Sequence, residues 1–299
     1  MTADSPSRIQ SSETTIDHIG LVGRDIHKMI AAFRHLGFVV TEPAALTQPG
    51  PDGEPVSLGQ MSAHVIFGDT YIELTAVDRP GQGNHLDPWL ARHEGLHIMA
   101  LRTQDAKQSW DDLAAHGVVM PPMRAASREV NAGGKKGIAD FKWFQIPDSI
   151  SREGFSCVVE HQTPELVFIE SLTHHPNGAL ALRGVCALVD DLNDAVSRYQ
   201  RLPGANIEPF ALGRYVVLKN QRFIAMTPKG MAAMCPGAKL PAPPCFAGFA
   251  VHVRSIAETC NYLAQKGIAY QPASELSVWL KPELACGAVL LLIDQQAPI

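Results

Sequence analysis

The chain has 299 residues, enough for two domains of ordinary size. Apolar residues make up 46% and charged residues 18%, and the net charge is -5. Such a composition fits a folded soluble protein and supplies no basic excess for nucleic acid. No apolar run approaches the roughly 20 residues of a membrane span, and the opening MTADSPSRIQSSETT lacks an apolar signal stretch. Residues 1–13 read as a polar tail, and the protein as cytoplasmic, without a nucleic-acid or membrane partner.

In chain order, four segments share one pattern: a short β-like run, an amphipathic helix, and a glycine stop. The first is IDHIGLVGRDIHKMIAAFRHLGF. Ile26, Ile30 and Phe33 share a helical face, with Met29 and Leu36 beside them. Asp25 caps its start and Gly37 its end. The runs SAHVIFG and TYIELTAV follow and read as strands. The second segment is GLHIMALRTQDAKQSWDDLAAHGV, with Thr103 as cap, Ala106, Trp110 and Leu113 as face, and Gly117 as stop. Its strands are DFKWFQIPD and FSCVVEHQ. Between helix and strands lies RAASREVNAGGKKG, read as a loop carrying Arg124, Arg128, Lys135 and Lys136, able to reach an anionic substrate.

SLTHHPNGAL reads as a linker, which sets domains at 14–175 and 176–299. The third segment, GVCALVDDLNDAVSRYQRLPG, has Leu192, Val196 and Tyr199 on its face and stops at Pro203-Gly204. GRYVVLKN and RFIAMTP follow. The fourth, GFAVHVRSIAETCNYLAQKGI, has a capping box of Ser255 and Glu258, a face of Ile256, Cys260 and Leu263, and a stop at Gly267. ELSVWLKP and GAVLLLID follow. The pattern describes an α+β protein of four βαβββ units. Six cysteines without CxxC spacing read as reduced thiols.

DHIGLV, YIELTAV and GLHIMAL are similar to the metal-bearing strands of glyoxalase I. Through them the chain resembles the vicinal oxygen chelate superfamily, which also contains extradiol dioxygenases and bleomycin-resistance proteins. The resemblance implies units paired into two half-open, cup-shaped sheets. It also implies a metal held by His18, Glu73 and His97, with a fourth ligand at Glu160 or His161. Two histidines and a carboxylate suit Zn, Fe(II), Mn, Ni or Co and leave positions for substrate. Aligned on the repeat, Val185, Ala225 and Phe249 stand opposite His18, Glu73 and His97, so the C-terminal half reads as a degenerate scaffold. His64, Arg128, Lys136, Trp143 and His161 are candidate contacts to a small-molecule substrate. Glu73 and Glu160 are candidates for proton transfer. The expected activity is that of a metal-dependent isomerase or lyase. The alternatives are an Fe(II) extradiol-type dioxygenase and a non-catalytic binding protein. The chain is expected to be a monomer or homodimer.

Overall fold

The computed structural model describes residues 15–297 apart from 82, 203, 204 and 220. The polar tail and the Pro203-Gly204 stop therefore lie outside the described residues. The N-terminal elements are β1 (Thr15–Gly23), α1 (Ile26–His35), β2 (Ala44–Pro49), β3 (Pro55–Ile66), β4 (Tyr71–Val77), α2 (Asp87–Leu90), β5 (Gly95–Arg102), α3 (Ala106–Ala115), β6 (Arg124–Ala132), β7 (Lys135–Ile146) and β8 (Phe155–His161). The C-terminal elements are β9 (Ala179–Leu188), α4 (Leu192–Tyr199), β10 (Asn206–Phe210), β11 (Gly213–Leu218), β12 (Gln221–Met226), α5 (Pro228–Met234), β13 (Cys245–Val253), α6 (Ile256–Gln265), β14 (Gln271–Ser274), β15 (Ser277–Leu280) and β16 (Val289–Asp294).

The fold is mixed α+β and rich in strands. Its first sheet is a closed barrel, ordered β1-β4-β3-β2-β6-β7-β8-β5. The second sheet is ordered β10-β11-β12-β9-β13-β16-β15-β14. The expected half-open cup is thus corrected for the first sheet. Its closure is slight, because β2 meets β6 only at Leu46↔Arg128 and Thr47↔Ser127. The strands part on either side of that seam.

Local sequence explains the helices. Asp25, Asp105, Asp191 and Ser255 each sit in extended backbone and accept hydrogen bonds from the first-turn amides. The cap of α3 is Asp105, not Thr103. Gly37, Gly117 and Gly267 follow their helices at positive φ, which a side chain would strain. On α4 the fully buried residues are Ala195, Arg198 and Tyr199, so Leu192 and Val196 form only the partly buried margin of its face.

The stretch read as a loop is the β6–β7 hairpin. Gly133 and Gly134, at φ 55 and 79, form its tip, as a two-residue hairpin turn requires. The polar letters of RAASREVNA concealed a strand because Ser127, Glu129 and Asn131 alternate with buried Ala126, Arg128 and Val130.

The two sheets share one continuous apolar core that runs from Ile16 and Phe33 to Phe249 and Leu292. Polar ties cross the same boundary. Gln221 bonds both backbone groups of Ile16. His175 accepts from the Val39 amide at 3.0 Å and donates to the Ile66 carbonyl at 3.1 Å. All six cysteines are free. No helix among the described residues is long and apolar enough to cross a membrane.

Candidate active site

Side chains alternate across a strand, so one register decides what faces the barrel interior. On β1 the inward residues are His18, Gly20 and Val22. His18 pairs with Tyr71 on β4 and with Ala100 on β5, and Gly20 pairs with Glu73 and Ile98. Glu73 stands opposite His64 of β3. His18, His64, Tyr71, Glu73, Arg128 and Trp143 all line one inner chamber of about 90 Å³.

Within that chamber His18 Nε2 lies 3.9 Å from Glu73 Oε2. The other ring nitrogen of His18 donates to Asp17 Oδ1 at 2.8 Å. Adjacent strand residues normally face opposite ways. Here the β1–β5 register slips between Ile16 and His18, and such a bulge re-aims Asp17 toward its neighbour's ring. Asp17 Oδ2 also accepts from His161 Nε2 at 2.8 Å and from Arg102 Nε at 2.6 Å. Burial opposes the charge on Asp17, but the hydrogen bonds from His161 and His18 prevail and hold it well below the usual carboxylate range. Asp17 is therefore a fixed anion that sets the tautomer and orientation of His18.

Arg128 enters from β6. It is 7% exposed, and its Nη1 lies against the His64 ring. Burial, and then the Arg128 charge, push His64 well below the usual histidine range, so the ring is neutral. Tyr71 stacks on His18 with ring centroids 4.3 Å apart, and burial raises its phenol well above the usual range. Trp143 and Phe155 form an apolar wall.

Three expected site residues lie elsewhere. His97 does not enter the barrel, because its neighbour Ile98 holds the inward position. The His97 ring packs on His93, with centroids 4.2 Å apart, and donates to the His93 carbonyl at 2.8 Å. Glu160 faces outward and accepts from the Ala106 amide at 2.8 Å, which caps α3. Lys136 is exposed near the hairpin tip. Glu160 is out of phase with the inward face of β8, which Phe155, Cys157 and Val159 form. His161 is brought to the site, as the residue that bonds Asp17.

Helix caps supply the better alignment. His18 precedes the cap Asp25 by the same interval as Ile98 precedes Asp105. Glu73 and Cys157 then match, because Glu73 pairs with Gly20 and Cys157 pairs with the equivalent Ala100. In the second sheet the matching residues are Gly184, Ile224, Gly248 and Leu291. They replace the expected Val185, Ala225 and Phe249, and none can bind a metal through its side chain. The second sheet also fills its inner face: Met231 and Cys235, at α5 and just beyond it, pack on Cys186, Met226 and Trp279.

The four positions of the resemblance are thus His18, Glu73, Ile98 and Cys157. Only the first two are ready donors, because burial raises the Cys157 thiol far above its usual range. A buried guanidinium stands nearby and opposes a second cation. Among the described residues no group of three or more His, Cys, Asp or Glu is arranged to hold an ion. The side chains at these four positions do not fit a resident divalent metal held by the protein.

Burial lowers His97 to about 4 from an ordinary 6.5. Above pH 6.5 the ring is neutral in both states. Between 6.5 and about 4 the unfolded chain takes up a proton that the folded protein refuses, so stability falls as pH falls. The gap corresponds to roughly 3 kcal/mol by pH 4. Urea unfolding at pH 7 and pH 4 should show a smaller loss for His97→Gln than for the parent. An equal loss would place the acid sensitivity elsewhere.

The sequence profile of the family described as "Glyoxalase-like domain" matches residues 16–203. No curated protein matches the chain. A hypothetical protein from Staphylococcus aureus superposes with a TM-score of 0.64 at 12% identity, covering 94% of this chain and 99% of that one. A mutant of 4-hydroxymandelate synthase from Streptomyces coelicolor gives 0.59 at 13%, covering 96% and 94%. The Mn(II)-bound glyoxalase from Novosphingobium aromaticivorans gives 0.52 at 13%, covering 95% and 83%. At such identities these likenesses speak for the fold. With more than half of its length matched by the profile, the chain belongs to the glyoxalase-like domain family and, with it, to the vicinal oxygen chelate superfamily.

Proposed function

We propose that the N-terminal barrel is the active site of an acid–base enzyme of the isomerase, epimerase or lyase kind. Its substrate is a small oxygenated carbonyl compound, and residues 176–299 act as a scaffold domain. The observation that carries this reading is the His18–Glu73 pair at 3.9 Å, opening on one chamber and backed by the anion Asp17.

The chemistry follows from the pair. Glu73 takes a proton from the carbon beside the carbonyl, and the C–H electron pair moves into the enolate. His18, with Nδ1–H held by Asp17, offers Nε2 to the carbonyl oxygen. When Nε2 carries a proton the ring donates it there, and Asp17 keeps the ring turned for that transfer. Return of a proton to either carbon completes an isomerisation or epimerisation. Loss of a neighbouring leaving group completes a lyase reaction. A facial-triad dioxygenase needs a third ligand, and Ile98 occupies that position.

Proton exchange provides the test. A panel of 2-oxo and 2-hydroxy carbonyl compounds is incubated in deuterated buffer and followed by NMR. Deuterium should enter the carbon beside the carbonyl, and Glu73→Gln should slow this about a hundredfold or more. A chelator should leave the parental rate unchanged. A rate that a chelator abolishes and Mn(II) restores would favour a metal centre instead.

A further inference from the structure

Among the described residues Arg128 is the one buried cation that lines the chamber, and it has no ion-pair partner. Among the described residues no carboxylate lies within ion-pair distance of it, and its buried Nε has no hydrogen-bond partner. Its polar contact is the neutral His64 ring. Its guanidinium carbon lies 6.0 Å from the Tyr71 ring centre and 5.8 Å from that of Phe141. A buried charge without an ion-pair partner is expensive and persists where something else needs it.

A second cavity of about 760 Å³ runs along β2 where β2 and β6 part. It meets the inner chamber at Ala44, His64 and Arg128, which line both. Most of its wall is apolar, with Met61, Ile66, Val130, Ile138, Leu166 and Ile169 among the contributors. The space therefore has two parts: a small polar head with one unpaired cation, and a longer apolar body.

We infer that Arg128 is an anion subsite and that this barrel takes an organic carboxylate with an apolar body. The carboxylate pairs with Arg128 at the junction of the two cavities. The apolar body lies along β2 in the outer one, and the carbon near the carboxylate faces Glu73. This rests on the acid–base reading above for the reacting end only. Binding of head and body stands by itself. A planar guanidinium suits a carboxylate, which it meets through two parallel hydrogen bonds.

Equilibrium binding tests it with octanoate, octanol and acetate, read by calorimetry on the full chain. Octanoate should bind about tenfold or more tightly than octanol, and far more tightly than acetate. Arg128→Gln should bring octanoate down to the octanol level, and Arg128→Lys should recover part of the difference. Ile138→Asp, at a half-exposed point of the outer wall, should weaken octanoate while leaving acetate unchanged. Without ligand, Arg128→Gln should melt no lower than the parent, because it removes an unpaired buried charge. Equal binding of octanoate and octanol overturns the subsite, as does unchanged octanoate binding in Arg128→Gln. A lower melting temperature of ligand-free Arg128→Gln also overturns it, by making Arg128 a structural prop. Glu73→Gln separates the two readings. If it binds octanoate as the parent does, while the parent exchanges no carbonyl compound, the acid–base reading fails and the subsite stands.

Discussion

Glu153→Ala should destabilise the protein by about 3–5 kcal/mol, the cost of breaking a buried ion pair from one side. Glu153 is fully buried just before β8 and accepts from Arg198 Nη2 at 2.6 Å and from the Tyr199 hydroxyl at 2.5 Å. Arg198, on α4 of the other half, also donates to the Ile150 carbonyl at 2.6 Å. Removing the carboxylate leaves the guanidinium with the half-exposed Asp194, at 2.9 Å, and the Ile150 carbonyl, and takes the short hydrogen bond from the Tyr199 phenol. Burial disfavours the Arg198 charge, yet the Glu153 hydrogen bond and charge together raise its affinity for the proton. The cation therefore stays and carries the cost. For a chain of this length the loss is roughly 5–8 °C in Tm. Because the apolar core is continuous across both sheets, the whole unfolding transition should move, not one half of it. Urea and thermal unfolding check this. Glu153→Leu combined with Arg198→Met should recover most of the loss, since replacing both charges by apolar groups is often neutral. A double variant as unstable as Glu153→Ala would show that packing, not the broken ion pair, sets the cost.

The same ion pair marks a limit of what the sequence displays. Glu153 and Arg198 are ordinary charged letters in ordinary loop and helix positions, and only the docking of the two halves buries them. The helices were more legible, because amphipathic faces and stop glycines are local. The shared placement of His18 and Glu73 was legible too, since each sits inward on a run of clear strand character. His97 misled because a histidine beside an apolar run attracts a metal assignment. Counting back from the true cap Asp105 would have selected Ile98. Asp17 was beyond reach, because its inward turn depends on a bulge fixed by pairing with β5. Arg128 was visible as a cation, but the burial that leaves it unpaired depends on β6, whose polar letters read as a loop.

If Ile98 and Cys157 are what keeps a metal out, restoring donors there should bring one in. The double variant Ile98→His with Cys157→Glu places two imidazoles and two carboxylates at the four cap-matched positions of the barrel. Three or four such donors suit Mn(II) or Zn(II), whereas at these positions the parent offers only His18 and Glu73. The second shell is partly in place, because Asp17 already holds the far nitrogen of His18. Arg128 opposes the ion, so a triple variant that adds Arg128→Gln should bind more tightly again. Each tenfold step requires about 1.4 kcal/mol, and two new charged or imidazole donors should supply roughly a thousandfold over the parent. Competition against a colorimetric chelator measures this, and metal content after dialysis confirms occupancy. Two results would count against the account. Parental protein that binds Mn(II) as tightly as the variant would show that His18 and Glu73 suffice. A folded double variant with no gain would show that the inner chamber, at about 90 Å³, is too tightly walled to let the four positions converge on one ion.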